Sequence, residues 1–214
     1  MRKRFDQQLE ELNQQMQEMG RMVENAIQKA IEALLKQDIK LAQSVMEADA
    51  LVDRKQKEIE SICFRLLLQQ QPVASDLRVI SAALKMITDM ERIGDHAADI
   101  SEMTLHLAQE PYIKNLDLIR QMATETTWML IQSIEAYVEK DIQKAVSVIA
   151  HDDIVDGLFA DTKHELIELI HKEKNNGEQA TDLLMVAKYF ERIGDHATNL
   201  AESIVQEHSN PYQQ

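Results

Sequence analysis

The hexapeptide E-R-I-G-D-H occurs at residues 91–96 and again at residues 191–196, so the two copies lie 100 positions apart in a chain of 214 residues. A second pair of similar segments precedes these copies. Residues 38–53 read D-I-K-L-A-Q-S-V-M-E-A-D-A-L-V-D, and residues 141–156 read D-I-Q-K-A-V-S-V-I-A-H-D-D-I-V-D. Because both pairs follow the same order, the chain consists of two related halves, as expected of an internal duplication.

The composition favours helices over strands. Hydrophobic residues make up 44% of the chain, which is enough for a substantial core, whereas five Gly and three Pro leave few turn signals for a β-rich fold. Leu, Ala, Met, Gln, Glu and Lys, which are good helix formers, are abundant. We therefore expect an all-α fold.

Apolar residues recur at three- and four-residue steps along most of the chain, which predicts long amphipathic helices. Six are predicted, at about 5–36, 39–68, 76–109, 113–139, 142–174 and 182–208. Residues 69–74, which contain a proline, are predicted to form a loop, and residues 175–177 a turn. The predicted N-cap residues are Asp38, Asp141, Ser75 or Asp76, and Thr181 or Asp182.

Long helices joined by short loops must run antiparallel to their neighbours. The sequence therefore predicts two tandem three-helix bundles, one in residues 1–110 and one in residues 111–214, joined at Glu110-Pro111. The bundles are related either by a pseudo-twofold axis or by a tandem translation. The alternative is a single six-helix bundle with a common core.

The formal net charge of −14 excludes several classes of partner. Nucleic acids bind proteins that neutralise phosphates, and anionic lipid attracts basic segments, so neither is expected here. Cys63 is the single cysteine, which rules out an internal disulfide and fits a reducing cytoplasm. Because the sequence has no signal peptide and no apolar run of membrane-spanning length, we expect a cytoplasmic protein without direct membrane insertion.

Acidic residues recur four positions apart in both halves, and such residues share one face of a helix. For an isolated pair, a solvated acidic face is the usual explanation. The recurrence in both halves and the mid-helix Gly94 and Gly194, each costing about 1 kcal/mol relative to Ala, favour metal sites instead. The candidate ligands are Asp49, Asp53, Glu91, Asp95 and Asp99 in the first half and Asp152, Asp156, Glu191, Asp195 and Asn199 in the second.

A metal ion would offset the repulsion between these carboxylates. Two unit charges about 5 Å apart repel by roughly 3 kcal/mol at an effective dielectric constant of 20. Carboxylate oxygens suit Mg, Mn, Ca or Fe, whereas structural zinc prefers Cys and His. The first site carries the additional negative charge of Asp99 where the second has Asn199. We therefore expect the first site to bind metal more tightly.

Four residues of the repeated hexapeptide point away from the acidic face, because successive side chains on a helix are about 100° apart. His96 and His196 are interpreted either as residues that support the metal site or as ordinary surface histidines. Arg92 and Arg192 are expected to form ion pairs with neighbouring acidic residues, which contribute little stability at a surface.

The sequence contains no Gly-rich phosphate loop and no G-x-S-x-G motif, so it predicts a protein that is not an enzyme. The alternative is a carboxylate-bridged metalloenzyme of the helix-bundle type, such as an oxidase or a phosphatase. The E-x-x-H spacing of ferritin-like di-iron proteins is absent. A third hypothesis is a purely structural helical scaffold.

With these motifs in view, the chain closely resembles the PhoU family of phosphate-uptake regulators over nearly its whole length. The resemblance rests on the doubled signature E-R-I-G-D-H-A-x-[N/D]-[I/L]-x-E and on Q-Q-P-V-A-S-D-L-R at 70–78. The signature more often has Asn where the first copy has Asp99.

The resemblance implies a cytoplasmic adaptor, peripheral at the inner face of the membrane through its partners. These partners would be the ATPase subunit of the high-affinity phosphate ABC transporter and a phosphate-sensing histidine kinase. The adaptor restrains uptake and the starvation response when phosphate is plentiful. The resemblance also implies metal ions at the acidic motifs, with iron, manganese, magnesium or zinc as candidates, and we expect a homodimer.

Overall fold

The structure, a computed structural model, describes residues 2–69 and 73–208, and in these ranges it consists of six long α-helices without a strand. The first three predicted helices correspond to α1, α2 and α3, and the last three to α4, α5 and α6. A short 3₁₀ turn at Lys174–Asn176 precedes the last helix. The helices are α1 Arg2–Lys36, α2 Ile39–Gln69, α3 Ala74–Leu107, α4 Asp117–Glu139, α5 Ile142–Lys172 and α6 Gly177–His208.

The turns that precede α2 and α5 have the same construction, as predicted. Asp38 Oδ1 accepts a hydrogen bond from the backbone N–H of Leu41, and Asp141 Oδ1 accepts one from Lys144, each at 3.0 Å. The residue before each cap has a positive φ, 53° at Gln37 and 56° at Lys140, and it ends the preceding helix. Both predicted N-caps are therefore confirmed.

Three other helix starts differ from the predictions. α3 begins at Ala74, so Asp76 is its third residue rather than its N-cap, and its Oδ2 accepts from the Val73 N–H at 3.2 Å. The hydrogen bond between Asp76 and Val73 is the carboxylate half of a capping box. Ser75 also lies inside α3, so neither Ser75 nor Asp76 is the N-cap. Residues 70–72, half of the predicted loop before α3, lie outside the described residues.

α4 begins at Asp117 rather than near 113, because the chain before it is tied to α6. The Ile113 N–H donates to Gln179 Oε1 at 2.6 Å, and Gln179 Nε2 donates to the Pro111 carbonyl at 3.1 Å. These bonds pair two backbone groups that lie outside any helix, and they hold residues 111–113 against α6.

α6 begins at Gly177, so the predicted N-caps Thr181 and Asp182 are wrong. Thr181 is the fifth residue of α6, and its Oγ1 donates to the Gly177 carbonyl one turn earlier at 2.8 Å. The turn predicted at 175–177 is largely the 3₁₀ turn, from which Asn176 Nδ2 donates back to the Leu169 carbonyl at 3.1 Å. The chain thus passes from α5 to α6 with few residues outside helices.

The buried apolar faces of the helices form one cluster that extends through both halves. Leu12 and Met19 of α1, Met86 of α3 and Phe190 of α6 are fully buried. Burying a side chain of this size stabilises the fold by about 1.5–3 kcal/mol, so the amphipathic pattern supplies most of the driving force for folding.

Each half is a three-helix bundle, and the contacts between the halves show how the two are related. α1, α2 and α3 pack on one another, as do α4, α5 and α6, while α3 packs on α6 and α1 on α4. Both contacts between halves therefore join equivalent helices, which indicates a pseudo-twofold axis rather than a translation. Lys85 reaches Gln206 while Asp89 reaches His196, so α3 and α6 are antiparallel. The division of the chain into domains at residues 1–110 and 111–214 stays a prediction.

No helix in the described ranges combines the length and the apolar character that a bilayer span requires.

Candidate metal centre

Glycine allows the acidic faces of α2 and α3 to approach each other. A Cβ added to Gly94 would lie 3.2 Å from Val52 Cγ1 and 3.6 Å from Asp49 Oδ1. At Gly194 the equivalent distances, to Val155 Cγ1 and Asp152 Oδ1, are 3.2 and 3.4 Å. The two mid-helix glycines thus have the same role in both halves, which is close packing of the helix that carries the facing carboxylates.

Three carboxylates of the first half meet at this contact. Asp49 and Asp53 of α2 and Asp95 of α3 each place one oxygen within 4.8 Å of the others. We call these three residues the first acidic cluster. Asp49 Oδ1 and Asp53 Oδ1 are buried and have no hydrogen-bond partner. An unsatisfied buried polar atom costs about 1–3 kcal/mol, and more when it is charged. Binding of a partner to these two oxygens would therefore stabilise the protein.

Burial and neighbouring negative charges raise the pKa of two carboxyl groups at this contact, Asp49 and Glu91. Burial, followed by the charges of Asp95, Asp53 and Asp99, raises the pKa of Asp49 to about 6. Burial and the neighbouring Asp95 charge also raise the pKa of Glu91. Both effects disfavour the charged form, and a bound cation or proton would relieve them.

Arg92 forms the expected ion pair on the outer side of the cluster. Its Nη1 lies 2.9 Å from Asp95 Oδ2, and its Nε lies 3.6 Å from Glu91 Oε2. The Arg92 side chain is 57% exposed, so solvent screens these contacts and they contribute little stability. Arg92 therefore leaves the buried oxygens of α2 without a partner.

Asp99 and Asn199, both predicted ligands, are directed to the contact between the halves. Asp99 Oδ2 lies 3.1 Å from His96 Nδ1, and Asn199 Nδ2 donates to Asp89 Oδ1 at 3.3 Å. Four residues turn a helix by about 400°, so each i,i+4 step rotates the side chain by about 40°. From Glu91 to Asp99 the rotation is about 80°. The row of acidic residues at 91, 95 and 99 therefore turns from α2 towards α6.

The carboxylates of the second half are more dispersed. Among its described residues, no three carboxylates come as close together as those of the first acidic cluster. We call Asp152, Asp156, Glu191 and Asp195 the second acidic cluster. Asp156 and Asp195 are exposed. Lys188 Nζ lies 2.5 Å from Glu191 Oε2 and 5.4 Å from the centroid of the Phe159 ring.

Burial raises the pKa of Asp152, and the Asp156 and Asp195 charges add to the effect. Burial and the Glu191 charge raise the pKa of Asp195, and the Lys188 ammonium opposes this rise. Thr198 stands where the first half has Ala98, and Lys188 where it has Thr88. Thr198 Oγ1 is buried without a hydrogen-bond partner among the described residues, so of these two residues only Lys188 pairs with a carboxylate of the second half.

The two histidines meet between α3 and α6, where His96 is buried and is therefore not a surface histidine; support of a metal site by either residue stays a prediction. The His96 ring is buried and stacks on the rings of Tyr189 and His196, with centroids 5.6 and 5.7 Å apart. His196 Nδ1 lies 2.9 Å from Asp89 Oδ1. Burial, above all, lowers the pKa of His96, while Asp99 opposes this shift. We call His96, His196 and the residues that contact their rings, Asp89, Asp99 and Tyr189, the histidine seam.

Sequence reasoning missed Asp89, Lys188 and Tyr189. Asp89 and Tyr189 each precede a histidine of the repeat by seven residues, a spacing that places them on the same helical face. Lys188 precedes Glu191 by three residues, the spacing of an intrahelical ion pair. Both spacings are present in the sequence, but they are common in helices. Only the packing of the helices shows that these three residues make the contacts described.

The donor set of the first acidic cluster fits a hard cation. Carboxylate oxygens are the ligands that Mg, Mn, Ca and Fe prefer, and the two buried oxygens without partners would bind such an ion. Cys63 is fully buried, and burial raises the pKa of its thiol to about 12, so it remains protonated and cannot act as a thiolate ligand or nucleophile at neutral pH.

Comparison with known proteins shows the same duplication. The family model described as "PhoU domain" matches residues 16–104 and again residues 119–204. A protein of Clostridium acetobutylicum named phosphate-specific transport system accessory protein PhoU homolog is 41% identical over 205 residues, covering 95% of this chain and 94% of that protein. A homolog of the same name from Aquifex aeolicus is 37% identical and covers 86% of this chain and 83% of its own length.

Two solved structures have the same fold. The crystal structure of PhoU from Pseudomonas aeruginosa superposes with a TM-score of 0.91 at 30% identity, covering 95% of this chain and 98% of that one. The phosphate transport system regulatory protein PhoU from Streptococcus pneumoniae gives a TM-score of 0.88 at 28% identity, covering 96% and 97%. The all-α fold with two tandem three-helix bundles is therefore that of these proteins.

Proposed function

The chain belongs to the PhoU family, and from that premise we propose that it is an accessory regulator of phosphate transport and not an enzyme. The single observation that carries this proposal is the family match in both halves of the chain. Several relatives are named as accessory proteins of the phosphate-specific transport system.

The regulator acts by contact with other proteins. It binds the ATPase subunit of the phosphate ABC transporter and a phosphate-sensing histidine kinase, and it restrains uptake and the starvation response when phosphate is plentiful. The net charge of −14 supports contacts with basic protein surfaces, because complementary charge accelerates association and favours the correct partner. On this proposal the protein is cytoplasmic and reaches the membrane only through its partners.

Deletion of the gene in its own host, followed by phosphate-uptake measurements in phosphate-rich medium, tests the regulatory role. We expect uptake to rise and phosphate-starvation genes to be expressed despite the supply. Tagged full-length protein should co-purify with the ATPase subunit and with the kinase. Unchanged uptake together with failure to retain either partner would contradict the proposal.

The first acidic cluster binds a divalent or trivalent cation. Support comes from the buried oxygens of Asp49 and Asp53, which have no partner, and from their distance to Asp95. Iron, manganese, magnesium and zinc are the candidate ions, and the all-carboxylate donors make zinc the poorest fit. Elemental analysis of the purified protein, followed by Mn²⁺ titration after chelation, tests this assignment.

A matched pair of variants separates binding at the cluster from general attraction of cations. Asp53→Asn should abolish saturable Mn²⁺ binding, whereas Glu47→Gln, which neutralises an exposed residue of the same helix, should leave it intact. Equal loss in both variants would mean that the metal is attracted by net charge alone.

The alternative is a carboxylate-bridged metalloenzyme. Metal-loaded protein that hydrolysed phosphate esters or consumed oxygen, with loss of turnover in Asp53→Asn, would favour this alternative over the regulator. The homodimer is part of the proposal as well, and analytical ultracentrifugation of the metal-free and metal-loaded protein measures it.

A further inference from the structure

We infer that the Lys188 ammonium takes the place of a metal ion in the second acidic cluster, so that each chain holds its tight cation site in the first half only. This inference rests on the proposed binding of a cation by the first acidic cluster. Lys188 Nζ lies 2.5 Å from Glu191 Oε2, and the Glu191 side chain is only 14% exposed. A positive charge of the protein itself therefore already lies beside the Glu191 carboxylate, and the Lys188 side chain that supplies it is 38% exposed.

Two contacts hold the ammonium in place. Lys188 lies three residues before Glu191 on α6, a spacing at which side chains meet on one helical face. From the other side, the Phe159 ring of α5 lies 5.4 Å from Lys188 Nζ, a distance at which a cation is attracted to an aromatic face. Because Phe159 follows Asp156 by three residues, the ammonium is held between α5 and α6, the two helices that carry the cluster.

The first half has different residues at both equivalent positions. Thr88 stands where α6 has Lys188, and Gln56 stands where α5 has Phe159. The Thr88 hydroxyl donates to the Leu84 carbonyl of its own helix at 3.3 Å. The first half therefore has neither the ammonium nor the aromatic ring that would hold one there.

Arg92 does not compensate for this difference. Its guanidinium contacts Asp95 and, at 3.6 Å, Glu91 from the exposed side, while the buried oxygens of Asp49 and Asp53 remain without a partner. The first acidic cluster thus retains buried carboxylate oxygens to which no group of the described residues donates a hydrogen bond. The second has a lysine on Glu191 and exposed carboxylates at Asp156 and Asp195. A divalent ion entering the second cluster would be repelled by the ammonium.

Reciprocal exchange of the two residues tests the inference. Full-length wild-type protein, Thr88→Lys and Lys188→Thr are freed of metal with a chelator and titrated with Mn²⁺ by isothermal calorimetry. We expect one tight Mn²⁺ per chain in the wild type, a second in Lys188→Thr, and a more than about tenfold weaker first site in Thr88→Lys because of like-charge repulsion.

Three further variants serve as controls. Lys172→Thr makes the same charge change at the far end of α5, roughly 30 Å along the helix from Asp152, and should gain no site. Lys188→Arg keeps the positive charge and should also gain none. Lys188→Gln keeps most of the side-chain length and should reproduce the gain if Lys188→Thr does not fold, with circular dichroism verifying the fold of each variant.

The outcomes distinguish the role of Lys188 from the proposed binding of a cation by the first acidic cluster. Two Mn²⁺ sites of equal affinity in the wild type, or one site in both Lys188→Thr and Lys188→Gln, would overturn the role of Lys188 and leave metal binding intact. No saturable Mn²⁺ binding in the wild type would overturn the proposed metal site itself, and the inference with it.

Discussion

The imidazole rings of His96 and His196 stack across the contact between α3 and α6, with centroids 5.7 Å apart and planes inclined by 30°. The two residues are equivalent in the duplication, so their contact lies at the pseudo-twofold axis. Their partners are not equivalent. Asp99 of the same helix contacts His96 Nδ1, whereas Asp89 of the opposite helix contacts His196 Nδ1. The histidine seam is therefore symmetric in its rings and asymmetric in its carboxylates.

Asp89→Asn should weaken the packing of the two halves. Asp89 Oδ1 is within hydrogen-bond distance of His196 Nδ1 and Asn199 Nδ2, and its side chain is 18% exposed. Losing the charged acceptor should lower the free energy of unfolding by about 1–2 kcal/mol, measured by urea denaturation. Glu102→Gln, an exposed change on the same helix, should shift it by less than about 0.5 kcal/mol, and equal shifts would mean that the seam contact contributes nothing.

Gly94→Leu and Gly194→Leu should destabilise the protein although Leu is the better helix former. The added side chain would meet Val52 or Val155, each already 3.2 Å from the position of a Cβ. Overpacking typically costs about 1–3 kcal/mol, against the roughly 1 kcal/mol gained in helix propensity. Thermal unfolding and metal content measure the outcome.

Gly157→Ala is the matched control for this effect. Gly157 lies within α5, and a Cβ there would have no atom within 4 Å. Replacement should therefore stabilise the protein by up to about 1 kcal/mol. If Gly94→Leu raised the melting temperature as Gly157→Ala does, with unchanged metal content, close helix approach would not explain the repeated glycine.

Asp49→Asn should change how the stability of the metal-free protein depends on pH. The folded-state pKa of Asp49 is raised to about 6 from 3.8, so the folded protein holds this proton more tightly than the unfolded chain. The stability that the proton contributes is fully present below pH 3.8 and is lost as pH rises towards about 6. Asn cannot ionise, so the variant should gain stability relative to wild type across this window.

Urea denaturation at several pH values between about 3.5 and 7, with chelator present, measures this difference. Because Asp49 is partly exposed, the change should remain below the limit of about 1.4 kcal/mol per pH unit for one proton. Adding Mn²⁺ to the wild type should remove most of this pH-dependent difference in stability. A difference between variant and wild type that stayed constant with pH would refute the assignment to Asp49.

Asn199→Asp should destabilise the seam rather than strengthen a second metal site. From the sequence, the site with Asp99 is expected to bind metal more tightly than the site with Asn199, which suggests that an aspartate at 199 would raise metal affinity. In the structure, however, Asn199 Nδ2 donates to Asp89 Oδ1, so the new carboxylate would oppose an existing one. A loss of about 0.5–1 kcal/mol that shrinks in high salt is expected. Parallel titration with Mn²⁺ would contradict this if the variant bound metal more tightly at unchanged stability.

Sequence reasoning succeeded where a property depends on residues close together in the chain. The helices, the caps at Asp38 and Asp141 and the i,i+4 acidic pairs are local features, because helix geometry relates residues within one or two turns. It failed at the start of α6, where the side chain of Asn176 binds the α5 backbone and the helix begins at Gly177. It also failed at the start of α4, which depends on contacts between Ile113 and Gln179.

The sequence by itself determined the duplication, the all-α class and the residues from which a metal site could be built. Only the tertiary structure decided which of these residues meet. A helix turns its side chains by about 100° per residue, so the partner of each face depends on where neighbouring helices pack, and short loops do not specify that position. The packing of α3 on α6 therefore directs Asp99 and Asn199 to the histidine seam. Packing of α2 on α3 leaves Asp49, Asp53 and Asp95 together at the candidate metal centre.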